Sequence, residues 1–308
     1  MKALLTGASS FTGYWFARAL HAAGVHVVAP LRSAAASYAD GPRAERVRRL
    51  SAVAEIVETA PFGSNRFLEA AGVGGYDVLC HHAARVGDYR SPEFDIAGAL
   101  AENTANLRAV LKTMGRGRLQ GVVLTGSMFE QNEGAGEAPL AAFSPYGLSK
   151  GFTSAVVSHH CREFGLAYGK FVIPTPFGPL EEPRFCAYLI RAWRRGEIAR
   201  VNTPSYIRDN IHVSLLADAY VKFVSEMSAG EGRGKLNPSG YVETQGAFAE
   251  RFAAAMRPRL GLKCALELGV QTDFAEPLMR VNTDSAARYV GDWDEAAAWD
   301  QAADGYRS

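Results

Sequence analysis

Through its first half the chain alternates short apolar runs with stretches whose apolar residues recur at helical spacing. Residues 2–5 read as a buried strand, and a helix follows from about 13 to 23, with Gly24 placed to cap it. Residues 25–29, 54–57, 77–81 and 121–124 continue the strands, with helical patterns over 65–71 and 93–114 between them. Strands alternating with helices predict a parallel sheet covered on both faces, a doubly wound α/β fold.

The second half keeps this pattern and then loosens it. Residues 145–164 read as a long helix and 168–173 as another buried strand. Pro174, Pro176, Pro179 and Pro183 crowd a loop, and an Arg-rich helix follows over 185–195. Residues 207–213 and a helix over 215–227 resume the α/β character, while the remainder from about 230 is mixed and mainly helical. The expected organisation is a main domain over 1–173, to which 207–227 return, and a smaller lobe built from 174–206 and 228–308.

The turn after the first strand carries the first chemistry. Thr6-Gly7-Ala8-Ser9-Ser10-Phe11-Thr12-Gly13 sits between strand and helix, where unpaired amides and the positive end of the helix dipole can meet a pyrophosphate. Gly7 allows the tight turn, Gly13 lets the helix pack closely, and Ser10 stands in the middle glycine's place. Gly7, Ser9, Ser10, Phe11, Thr12 and Gly13 are therefore expected to bind NAD or NADP. After the second strand comes Ala29-Pro30-Leu31-Arg32-Ser33, with no carboxylate to take the ribose hydroxyls. Arg32 tilts the choice towards NADP by offering a partner to a 2′-phosphate, although a solvated arginine reads nearly as well.

Tyr146 and Lys150 stand four residues apart and share one face of the long helix. That spacing suits a tyrosine acid/base whose phenolate is stabilised by a nearby ammonium group. The pair alone says little. Ser127 adds weight, because it follows the strand over 121–124 at the sheet's carboxyl end, where a hydroxyl can bond a substrate oxygen.

Taken in order, these features form a longer pattern. The turn at 6–13, Asp77-Val78-Leu79-Cys80-His81-His82-Ala83-Ala84, Asn103, Ser127, Tyr146-Gly147-Leu148-Ser149-Lys150, Phe177-Gly178-Pro179 and Arg208-Asp209-Asn210-Ile211-His212-Val213 run through nearly the whole chain. Together they resemble the extended short-chain dehydrogenases/reductases, in the NAD(P)-dependent nucleotide-sugar epimerase/dehydratase branch. The resemblance implies a Rossmann-type domain with a smaller C-terminal substrate lobe, a homodimer, and a nucleotide-sugar substrate. It implies that Tyr146 is the base, or the acid in the reducing direction. Lys150 would lower the Tyr146 pKa and hold the nicotinamide ribose, and Ser127 would orient the reacting oxygen. His82, Ala83 and Ala84 would line the cofactor, with Asn103 supporting the site. Arg208 would contact the nucleotide or its phosphates, and Thr175 and Arg184 would lie beside the substrate.

The implied reaction is proton removal from a sugar hydroxyl with hydride transfer to nicotinamide, or its reverse. An epimerase would keep its cofactor, whereas a ketoreductase would release it each turnover; both stay open. Two other readings remain: an NADPH-dependent reductase of a non-nucleotide carbonyl compound, and a non-catalytic NADP-binding sensor. The presence of Ser127, Tyr146 and Lys150 argues against the sensor. Met128 and Phe129 occupy the places of the acid-base pair found in the family's dehydratases, which disfavours a 4,6-dehydratase. Glu130 is one step further, where strand alternation would turn it away. Thr175 stands where many relatives have a substrate-binding asparagine, and Ser214 replaces a common aspartate.

Composition sharpens the picture by exclusion. A net charge of +1 over 308 residues gives no reason to expect a nucleic-acid partner. The four cysteines form no CxxC pair, so neither a metal site nor a disulfide framework is expected. His81 and His82 should point apart on a strand, and His159, His160 and Cys161 should diverge on a helix. No apolar run reaches membrane-spanning length, and a strand beginning almost at Met1 leaves no signal-peptide pattern, so the expectation is cytoplasmic. The arginine-rich run over 43–49 reads as a solvated helix face. Arg191, Arg194 and Arg195 read equally as surface residues or as a diphosphate clamp.

Overall fold

The computed structural model describes residues 1–230 and 234–307. Strands β1 (Lys2–Leu5), β2 (His26–Pro30), β3 (Glu55–Val57), β4 (Val78–His81) and β5 (Gly121–Ser127) alternate with helices α1 (Phe11–Ala22), α2 (Gly41–Leu50), α3 (Asn65–Gly72), α4 (Ile96–Asn103) and α5 (Leu107–Gly115). Then come β6 (Ala135–Gly136), α6 (Pro145–Glu163), β7 (Ala167–Ile173), β8 (Thr175–Phe177), α7 (Phe185–Arg194), β9 (Ala199–Val201), β10 (Ile207–His212) and α8 (Val213–Ser228). The chain closes with β11 (Lys235–Leu236), β12 (Pro238–Ser239), β13 (Tyr241–Thr244), α9 (Gln245–Leu260), β14 (Leu266–Leu268), β15 (Arg280–Val281), β16 (Asp284–Ser285), α10 (Ala286–Val290) and α11 (Glu295–Arg307).

Seven strands pair in the order β11-β7-β5-β4-β1-β2-β3, every neighbouring pair parallel. Successive strand residues point to opposite faces, and both faces are buried here. Ala3, Leu5, Val27 and Val123 pack with α1 and α8, whereas Leu4, Val28, Leu79 and Val122 pack with α3 and α5. Two-sided burial is why these strands are apolar runs without alternation. The order reverses between β1 and β4, which opens a crevice at the strands' carboxyl ends. The Rossmann-type doubly wound fold is thus the fold of this chain.

The lobe has its own core of Phe177, Trp193, Phe248, Phe252, Met256, Trp299 and Tyr306. Most of its regular structure is helical, in α7, α9, α10 and α11, and short strands accompany the helices: β8 pairs in parallel with β10, and β13 pairs antiparallel with it. Strands this short leave little periodicity to read. Within the stretch 207–227, β10 joins this small sheet, and within 228–308, β11 joins the large one; positions 231–233 and 308 lie outside the described residues.

The single helix expected over 93–114 is two helices. Asn106 adopts φ +49° at the joint and its Nδ2 donates to the Gly63 carbonyl at 2.8 Å. A Cβ on Gly63 would lie 2.0 Å from the Ala105 carbonyl oxygen, so the loop after β3 presses into the break. The run over 43–49 is likewise not a solvated face throughout. Arg46 is fully buried and donates to the carbonyls of Ser9 (3.0 Å) and Leu180 (2.6 Å) and, in bidentate fashion, to Glu182. A helical charge pattern cannot reveal a partner that arrives from another part of the chain.

Candidate active site

The glycine turn is packed closely against neighbouring backbone. Gly7 has φ +74°, and a Cβ there would lie 2.8 Å from the Ala83 amide nitrogen. A Cβ on Gly13 would lie 2.2 Å from the Gly7 carbonyl oxygen. Ser10 caps α1 by accepting from the Gly13 amide at 3.1 Å, and the first helical turn holds no acidic residue to repel an anion. Phe11 and Thr12 are buried in that turn, and Ser9 is buried beside it. These residues fit a dinucleotide pyrophosphate.

The segment after β4 is pinned to this turn. Thr6 Oγ1 accepts from the amides of His82 (3.0 Å) and Ala83 (2.9 Å). Ala83 and Ala84 are half-buried next to it. His82 reaches three hydroxyls: Nε2 lies 3.0 Å from Ser10 Oγ and 3.1 Å from Thr12 Oγ1, and Nδ1 lies 3.0 Å from Thr125 Oγ1. Burial, and then the Lys150 cation, push its pKa down to about 3, so it stays neutral. His81 turns to the other face, stacks on Phe62 and bonds the Asn103 carbonyl at 2.8 Å. Asn103 Oδ1 accepts from the Arg85 amide at 2.8 Å and its Nδ2 donates to Thr153 Oγ1 at 3.2 Å, joining the 82–85 segment to α6. Arg32 leaves the end of β2 with its side chain 72% exposed, 4.0 Å from Glu102.

Ser127 ends β5, and Tyr146 and Lys150 lie on successive turns of α6. Pro145 opens that helix and Ser144 caps it through the Gly147 amide. A Cβ on Gly147 would lie 2.1 Å from the Phe129 carbonyl oxygen, so the helix start rests directly on the loop that follows Ser127. Lys150 Nζ donates to the Thr125 carbonyl at 2.5 Å, and burial brings its pKa down to about 8. Burial raises the Tyr146 phenol above its ordinary value, Glu130 adds to this, and Arg184 opposes it. In place of the expected lowering of the Tyr146 pKa by Lys150, the phenol is raised, chiefly by burial, and the ammonium donates to the Thr125 carbonyl.

Glu130 does not follow strand alternation, because β5 ends at Ser127 and the chain turns. Its Oε1 accepts from the Ser127 amide at 2.7 Å and its Oε2 from Lys170 Nζ at 2.6 Å. Lys170 also pairs with Glu133. Arg280 donates to the carbonyls of Met128, Glu130, Glu133 and Ala141. This buried charge network fixes the loop behind Ser127. Tyr89 and Phe94 flank the Tyr146 ring at 6.1 and 5.8 Å. Tyr89 lies in the stretch after Ala84 and Phe94 at the start of the helical pattern over 93–114, and no motif signals a role for either.

The substrate side is less complete. Thr175 opens β8 opposite Asn210, and Arg184 caps the start of α7 with its side chain exposed. Arg208 is already engaged. It pairs with Glu276 at 2.8 Å, donates to the carbonyls of Ile207, Pro277 and Leu278, and lies 4.3 Å from the centre of the Tyr206 ring. Arg194 donates to the Tyr306 carbonyl and Arg195 pairs with Glu197, so these two act as surface ties. His159 and His160 do not diverge as expected: at this partly exposed helix end their rings meet edge to face, and Glu163, beside His160, also pairs with Arg108.

Sequence comparison decides the family. The NAD dependent epimerase/dehydratase family model matches residues 3–237. The chain belongs to this family. It is an extended short-chain dehydrogenase/reductase in type, and solved structures of that type superpose on its whole length. A mutant UDP-glucuronic acid 4-epimerase from Bacillus cereus, solved with UDP-4-deoxy-4-fluoro-glucuronic acid and NAD, has TM-score 0.74 at 16% identity, over 100% of this chain and 98% of that one. The UDP-glucose 4-epimerase from Brucella ovis, in complex with NAD, has TM-score 0.74 at 19% identity, over 99% and 98%. The dTDP-glucose 4,6-dehydratase DesIV from Streptomyces venezuelae has TM-score 0.71 at 17% identity, over 100% and 97%. Comparison with curated proteins gave no match. Among the described residues of this family member, no helix is long and apolar enough to cross a membrane.

Proposed function

We propose that this family member is an NAD(P)-dependent oxidoreductase or epimerase acting on a nucleotide-activated sugar, with Tyr146 moving the proton. One observation carries the proposal: the helix bearing Tyr146 and Lys150 packs on the end of the strand bearing Ser127, with Lys150 on the Thr125 carbonyl and Gly147 on the Phe129 carbonyl, and His82 joins Thr125 to Ser10 and Thr12 of the glycine turn. Gly7, Ser9, Ser10, Phe11, Thr12 and Gly13 would hold the pyrophosphate, and His82, Ala83 and Ala84, braced by Asn103, would line the rest. Arg32 favours NADP. The nicotinamide, when bound, supplies the hydride acceptor or donor.

The chain's own residues handle the proton. With its pKa raised, Tyr146 keeps its proton at neutral pH and can give it to a carbonyl oxygen in the reducing direction. In the oxidising direction the positive charge of Arg184 favours the phenolate that accepts the sugar hydroxyl's proton. Ser127 orients that oxygen, and Lys150 supplies a cation one turn away. Met128 and Phe129 carry no acid-base group, which supports epimerisation or ketoreduction over loss of water. The nucleotide-sugar complexes among the similar structures support the substrate class. A non-nucleotide carbonyl substrate is the second reading, favoured by the commitment of Arg208 to Glu276. We take the assembly to be a homodimer, which light scattering on the purified chain would test.

Tyr146→Phe should lower turnover by about 10²–10⁴-fold and leave cofactor affinity nearly unchanged. A panel of UDP-, GDP-, CDP- and dTDP-sugars tests the substrate. Retained turnover in Tyr146→Phe would overturn the assigned acid/base. Dinucleotide that stays bound through purification favours an epimerase, and a site filled by added NADPH favours a reductase.

A further inference from the structure

Helix α2 carries four arginines, Arg43 in its first turn and Arg46, Arg48 and Arg49 further on, and their partners differ. Arg46 is buried against Glu182, while Arg48 and Arg49 both pair with Glu45. Arg43 has no carboxylate partner among the described residues. Its guanidinium instead lies on the glycine turn, with Nη2 at 2.9 Å and Nε at 3.3 Å from Ser9 Oγ, and 5.2 Å from the centre of the Tyr38 ring. Both contacts are neutral. A guanidinium has five N–H donors, so most of its donors and its whole charge remain uncommitted.

The position of this charge is well determined. Arg46, one turn on, holds the Ser9 carbonyl and locks α2 against the turn, so Arg43 projects from a fixed platform. Arg32 stands at the exit of β2, where a dinucleotide's adenosine ribose meets a Rossmann-type sheet. Its nearest carboxylate, Glu102, is 4.0 Å away and both side chains are exposed. The exit segment Leu31-Arg32-Ser33 supplies no carboxylate to repel an anion.

We infer that Arg43 and Arg32 form the two sides of a binding site for the 2′-phosphate of NADP, with Arg43 as the principal anchor. The inference rests on the reading that the glycine turn holds a nicotinamide dinucleotide. A doubly charged phosphate on the ribose would give the Arg43 fork the charged acceptor that Ser9 Oγ does not provide. NAD, with a hydroxyl there, offers no such partner.

Fluorescence titration of the full chain with NADPH and with NADH tests this without turnover. The wild-type chain should bind NADPH about tenfold or more tightly than NADH. Arg43→Ala should weaken NADPH by about tenfold or more and leave NADH nearly unchanged, and Arg43→Lys should recover part of the loss. Arg32→Ala should act in the same direction but more weakly. Equal losses for both dinucleotides in Arg43→Ala would mean that Arg43 only braces Ser9, and would overturn the proposal. So would a wild-type preference for NADH. Binding of neither dinucleotide would instead overturn the reading of the glycine turn beneath it.

Discussion

Lys150 has the most sensitive charge in the site. Its ammonium sits on the Thr125 carbonyl, and burial lowers its pKa to about 8. It is protonated below that value and loses its charge as pH rises through it. Turnover should therefore fall above pH 8, by up to about tenfold per unit once the neutral form dominates. Lys150→Arg, which stays charged, should move that limb to higher pH in a pH–rate profile. An alkaline limb unmoved by the substitution would show that another group controls it. Tyr146, Lys150 and Ser127 could be proposed from the sequence because their chemistry depends on residue type and local spacing. Glu130 and Arg46 could not. Whether a charged side chain is buried depends on a partner that arrives later in the chain: Lys170, 40 residues on, and Glu182, 136 residues on.

The start of α6 is where element packing becomes site geometry. Because Gly147 rests on the Phe129 carbonyl, a methyl group there must push the helix start away from the loop after Ser127. Gly147→Ala should lower turnover by about 100-fold, the scale of a one-ångström misplacement. Helix content by circular dichroism should be unchanged. Normal turnover would mean that Tyr146 is positioned by its aromatic neighbours Tyr89 and Phe94 instead. The same comparison explains which elements could be read in advance. The strands β1, β2, β4 and β5 stand out as apolar runs, and the helices α1 and α6 as the longer stretches between them. The break between α4 and α5 does not, since it comes from Gly63 pressing on Ala105 across the fold. The two-residue strands of the lobe carry no period at all.

At the scale of the whole molecule, ionisation and stability are coupled through the lobe. Glu181 is buried, accepts from the Tyr306 hydroxyl at 2.8 Å, and has its pKa raised by burial to about 8. The folded protein therefore holds a proton there that the unfolded chain gives up above about 4.5, so this contribution to stability is lost as pH rises towards 8. Stability should decline by about 1.4 kcal/mol per pH unit between about pH 5.5 and 7, and less steeply from there to about 8. Denaturant titrations should show Glu181→Gln removing that decline; an unchanged slope would place the proton elsewhere. The same loop also carries Leu180 and Glu182, both held by Arg46 of α2, while Trp15 of α1 bonds the Pro179 carbonyl. Exchange of parts between relatives is constrained as a result. A chimera that took its lobe from another enzyme would have to inherit residues 178–184 together with α2, or it would leave a guanidinium inside the protein with no counter-ion.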